Sequence, residues 1–182
     1  MKSTITFATA LTRVVLIAAG AFVPAAALFS GASAAPNPAP HSGYTEHHCV
    51  PVGGSIITNF GGVDANTTLG PATGDLRGAV AASLLTPPQP GPNVGGFQTV
   101  LFNIQHHWVT ESGDNIYFDR AVATTVPLSQ TRFAFINYPT HITGGTGKFA
   151  GATGDLTSIG EADLVAGIVI RYSGQVCFAE QD

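Results

Sequence analysis

From residue 49 onward the chain alternates short runs of β-branched and aromatic residues with clusters of glycine, and its apolar positions recur every second residue. This pattern predicts strands over 50–60, 76–84, 97–110, 115–126, 131–138, 153–159 and 164–177, with a further short one around Thr67. No stretch carries the 3.6-residue period of a helix of ordinary length. The clearest hairpin spans 97–126, where Glu111-Ser112-Gly113-Asp114 supplies the turn. On its first arm Val100, Phe102, Ile104, His106 and Trp108 share one face, which the apolar character marks as interior. On its second arm Ile116, Phe118, Arg120 and Val122 share a face, so strict alternation sends Arg120 inward too. The segment 86–96, TPPQPGPNVGG, is too rich in proline for a strand interior and is expected to be a long surface loop.

Composition agrees with the pattern, since the chain is rich in Gly, Thr, Val, Ile and Phe and poor in strong helix formers. Ahead of the strands, Lys2 and Arg13 precede the apolar run 14–29 and the small-residue sequence Ala32-Ser33-Ala34-Ala35, the layout of a secretory signal cut after Ala34. The expected organisation is a signal peptide over 1–34, a disordered proline-rich leader over 35–46 and one β domain over 47–182, secreted or periplasmic. Pro24 and the missing basic stop-transfer cluster argue against a membrane anchor, and no membrane insertion is expected after processing.

Of the seven Lys and Arg residues, two fall in the expected signal peptide, leaving five against eleven acids and a net charge of minus six. That balance excludes nucleic acid as a natural partner. Cys49 and Cys177 are the only two cysteines. In an oxidising compartment their favoured role is a disulfide joining the first strand to the last. The competing roles, a catalytic thiol or a metal ligand beside His47-His48, need a reducing or metal-loaded setting. Seven or eight strands in one domain fit a barrel or a two-sheet sandwich, and a first-to-last bridge favours the barrel, because closure makes those strands neighbours.

The segment 142–156, ITGGTGKFAGATGDL, resembles a stretch of allene oxide cyclases and dirigent proteins: a GGTG or GGSG turn, an aromatic, a small residue and a glycine opening the next strand. It also resembles exported bacterial proteins that share this turn and carry a cysteine near each end. Here the structural residues are Gly144, Gly145, Gly147, Phe149 and Gly154. The resemblance implies an eight-stranded antiparallel barrel with an interior cavity, and assembly into a homo-oligomer. Phe149 is expected to plug one end of the interior. Thr153 stands where the dirigent pattern has arginine and the cyclase pattern commonly tyrosine, which argues against phenoxy coupling. The cyclases' catalytic residues find no match in this chain.

His106 interrupts an apolar face beside Trp108, and with Tyr117 and Arg120 these residues are the candidate lining of a ligand pocket. No catalytic residue is assigned. The histidines 47, 48, 106, 107 and 141 lack metal-ligand spacing, and neighbours on a strand face opposite ways, so no metal and no cofactor are expected. Asp75 and Asp155 each end an Ala-Thr-Gly-Asp turn and are expected to bind local amides. Residues 144–147 lack the helix and lysine-serine pair of a phosphate loop, and no G-x-S-x-G elbow occurs. The sequence therefore points to an exported barrel holding a small apolar molecule, suited to cofactor-free cyclisation or isomerisation if it is an enzyme. The contrasting reading is an interaction module with a solid core and binding loops; a cavity of about 300 Å³ or more separates the two.

Overall fold

The computed structural model describes residues 48–179. The expected signal peptide, the expected proline-rich leader and His47 lie outside these residues.

One antiparallel sheet holds the strands β1 (His48–Phe60), β2 (Thr67–Ala72), β3 (Gly78–Leu84), β4 (Gln89–Val94), β5 (Phe97–Thr110), β6 (Asn115–Phe118), β7 (Ala121–Pro127), β8 (Arg132–Asn137), β9 (Pro139–Gly145), β10 (Thr153–Asp163) and β11 (Gly167–Phe178). Three pairs of these strands are single staves broken once. β3 and β4 lie along one edge of β5, β6 and β7 lie along the other, and β8 and β9 both pair with β10. The result is eight staves in up-and-down order. The ladder from His48↔Phe178 to Thr58↔Ile168 closes β1 onto β11, so the sheet is a barrel and not a sandwich. Cys49 and Cys177 face each other on that seam and are disulfide-bonded.

The inward face of β5 is the alternating set Val100, Phe102, Ile104, His106 and Trp108 read from the sequence. Eight staves leave an interior that side chains nearly fill, and aromatic residues supply most of the packing. Phe102 meets Phe133 edge-on at 5.2 Å, Trp108 meets Tyr172 edge-on at 5.3 Å, and Phe135 stacks on Tyr138 at 5.0 Å.

The 86–96 segment departs from the expected loop. Its residues Gln89–Val94 form β4, which extends the third stave beyond Leu84 and makes a hairpin with β5 through Gly95 and Gly96. Pro90 and Pro92 are tolerated because the register slips between Pro90 and Asn93, and side chains of β5 take over there. The Thr99 hydroxyl donates to the Pro92 carbonyl at 2.6 Å.

Two further departures matter for the site. From Trp108 to Ile104, β5 takes four steps, while its neighbour takes five, from Ile116 to Ala121. From Gly154 to Gly160, β10 takes six steps, while its neighbour takes seven, from Ile142 back to Phe135. Each of these two staves thus holds a one-residue bulge, at Asp119-Arg120 and at Ile136-Asn137, and each bulge reverses which residues face inward. The expected strands 115–126 and 131–138 are split or shortened accordingly, and β9 follows as a strand the pattern did not predict.

Candidate ligand cavity

One end of the barrel is shut. The 3₁₀ turn Gly147–Phe149 folds Phe149 into the interior, where it is 0% exposed and packs on Phe178 with ring centroids 5.5 Å apart. Gly147 adopts φ 53° in that turn, a conformation that favours glycine. A β-carbon on Gly145 would collide with the Asn115 carbonyl and with Phe149, so the glycines of this segment admit the plug. Beside it Leu76, 3% exposed, closes over the core. The indole Nε1 of Trp108 donates to the Leu76 carbonyl at 2.8 Å, the Leu76 amide donates to the Tyr172 hydroxyl at 3.0 Å, and that hydroxyl donates to the Thr73 carbonyl at 2.9 Å. The polar tips of the two large aromatics are thereby satisfied by backbone.

Above this floor lies a cavity of about 240 Å³, short of the roughly 300 Å³ at which ligand sites usually begin. Trp108, Val80, Leu156 and Tyr172 lie at its base, and Phe60, Asn66, Pro88 and Leu164 lie at the opposite end of the staves. Among the described residues no Asp, Glu, Lys or Arg lines it. Its polar groups are neutral, and they include Thr58, Thr68, His106, Tyr138 and Ser158.

His106 Nε2 lies 2.7 Å from the Tyr138 hydroxyl. Burial, with a smaller contribution from His107, lowers the His106 pKa to about 4, so the imidazole is neutral at neutral pH. Burial also pushes the Tyr138 phenol well above its ordinary value. The Nδ1 of His106 and the Oγ1 of Thr68 are enclosed and have no hydrogen-bond partner. Both residues flank the small Ala82 in register, Thr68 across β2–β3 and His106 across β3–β5.

Of the four residues read from the sequence as pocket lining, His106 and Trp108 face the cavity. Tyr117 does not; it is 52% exposed on the outer surface, because its neighbours Ile116 and Phe118 take the interior positions. Arg120 does not either. It sits in the bulge between β6 and β7, exposed, and the extra residue hands the inward position to Ala121. Tyr138 was missed for the same reason. Alternation from Phe133 and Phe135 selects Asn137 for the interior, yet Asn137 is exposed and Tyr138 turns in. Pro139, which has no amide hydrogen to donate and opens β9, is the signal that marks this break.

The acidic residues of the two Ala-Thr-Gly-Asp turns differ. Asp75 accepts from the Gly53 amide at 2.8 Å, a partner on β1 rather than in its own turn. Asp155 lies on the outer face, its Oδ1 2.8 Å from His141 Nδ1. His107 points outward, opposite to His106, and among the described residues no three metal-ligating side chains cluster.

No protein-family model matches the sequence, and no curated protein matches it. Among solved structures the chain is similar to the pterocarpan synthase dirigent protein GePTS1, at 15% identity over 82% of this chain and 99% of that one, with a TM-score of 0.34. The eight-stave closure stands on this chain's own strand pairing.

Proposed function

We propose that this protein is exported and holds a small, mostly apolar molecule inside its barrel. The observation that carries the reading is the cavity of about 240 Å³ without charged lining among the described residues, walled by aromatic and aliphatic side chains, in a barrel that Phe149 shuts at one end. At about 240 Å³ the space falls short of the roughly 300 Å³ expected of a ligand site, but a solid core, as the interaction-module reading requires, would leave none. The Cys49–Cys177 bridge supports export, because disulfides persist in oxidising compartments.

The test is native mass spectrometry of the protein purified from its own host, followed by titration of any bound species back into stripped protein. Trp108 is the only tryptophan and lines the cavity, so its emission reports entry. The expected result is a bound species of a few hundred daltons that perturbs Trp108 and is excluded by Ala82→Phe, which fills the space between Thr68 and His106. A protein that carries nothing, and whose Trp108 emission is unmoved by any apolar compound, would sink the proposal.

The His106–Tyr138 pair supports a second reading, in which the bound molecule cyclises or isomerises without a cofactor. A neutral imidazole against a protonated phenol can move a proton within an enclosed site. Turnover of the copurified species, followed by chromatography, separates a holder from a catalyst.

A further inference from the structure

The hydrogens of the His106–Tyr138 pair do not balance. A neutral imidazole carries one N–H and a phenol one O–H, but only one hydrogen bond joins them. One donor is therefore unused. If the imidazole proton were on Nδ1, it would be an enclosed N–H without an acceptor, since Nδ1 has no partner. In either tautomer one buried donor is left over, but the two differ in what could satisfy it: an Nδ1 proton is sealed from the cavity, whereas with the proton on Nε2, donating to the Tyr138 oxygen, the unused donor is the Tyr138 hydroxyl hydrogen, which a bound molecule can take. Tyr138 lines the cavity, and among the described residues no charged side chain does.

We infer that the cavity selects an uncharged molecule bearing an acceptor oxygen, a carbonyl or ether, which takes the Tyr138 hydroxyl proton while His106 fixes the phenol from behind. The Thr68 hydroxyl, unpartnered on the far side of Ala82, offers a second donor of the same kind. A carboxylate or ammonium is disfavoured because the wall has no counter-charge to replace its hydration. This inference rests on the ligand-holding reading and names the class of molecule held.

The experiment uses three probes of one shape: 2-acetylnaphthalene, 2-ethylnaphthalene and 2-naphthoate, titrated into the oxidised protein by calorimetry. The ketone is expected to bind about tenfold tighter than the hydrocarbon, as one buried donor gaining a partner allows, and the carboxylate weakest of the three. His106→Phe frees the phenol entirely and is expected to keep the ketone preference, whereas the double variant His106→Phe/Tyr138→Phe is expected to reduce it to what the Thr68 hydroxyl alone supplies. The ratio of ketone to hydrocarbon affinity is the quantity read, so hydrocarbon binding shows in each variant that the barrel is still formed. Equal affinity for ketone and hydrocarbon in the wild type, loss of preference in the single variant, or preference for the carboxylate would overturn the inference and leave the ligand-holding reading standing. Failure of all three probes would overturn both.

Discussion

Opening the Cys49–Cys177 bridge is expected to cost stability almost wholly through the unfolded chain. The bridge closes a loop with a sequence separation of 128 residues, for which the chain-entropy relation gives about 5 kcal/mol. The native side has little to lose, because the β1–β11 ladder runs from His48↔Phe178 to Thr58↔Ile168 and keeps its backbone pairing when the sulfurs part. Against a urea dependence of about 2 kcal/mol per molar, the midpoint should fall by about 2–3 M, and the melting temperature by about 15–20 °C. The bridge joins the two ends of the barrel, so its loss lengthens the search for the most non-local pairing of the fold. Reduced protein should therefore refold at least about a hundredfold more slowly while unfolding at nearly the oxidised rate. Urea chevrons of oxidised protein and of Cys49→Ser/Cys177→Ser check this. A midpoint shift below about 0.5 M, or a loss confined to the unfolding limb, would refute the argument that the bridge acts on the unfolded ensemble.

Phe149→Ala should destabilise by about 3–5 kcal/mol, as for a fully buried aromatic, and open the shut end of the barrel; urea unfolding and a faster ligand off-rate measure the two effects. The unfolded chain binds a proton at the ordinary histidine pKa of 6.5, and folded His106 only near pH 4. Stability from this group is thus fully present above about pH 6.5 and is lost as pH falls to about 4, by up to about 3 kcal/mol. His106→Phe should flatten that part of the stability profile measured by urea unfolding at each pH. Tyr117→Ala and Arg120→Ala, both on the outer surface, should leave ligand affinity within about twofold by the calorimetric titration above, since exposed substitutions away from special features change little.

The strand rhythm, the seam and the plug could be read from the chain because each has a local signature: period-two runs, two cysteines at the ends of the β region, and an aromatic inside a glycine turn. The inward face of β5 followed from alternation alone because β5 runs unbroken for its whole length. Alternation misplaced Arg120 and missed Tyr138 because it carries a side chain's direction only as far as the next extra residue. Nothing in Asp119-Arg120 announces a bulge; its existence is set by pairing with β5 and β9. Pro139 did announce one, and the proline content of 86–96 hid β4, since an edge segment tolerates prolines that an interior strand does not.

The bulges at Asp119-Arg120 and Ile136-Asn137 occupy neighbouring staves, and this constrains how the gene can change length. Deleting one residue at the first would invert β7, burying Val122 and Thr124 and expelling Ala123 and Thr125. Deleting one at the second would likewise exchange the faces of the residues on one side of it, moving Phe133 and Phe135 or Tyr138 out of the interior. Because β7 is registered on β5 as well as on β8, and β9 on β10 as well as on β6, a change at one bulge is not offset by a change at the other. Single-codon insertions and deletions at either bulge therefore exchange interior for exterior positions, while the same changes in the turn 128–131 leave every interior position where it was.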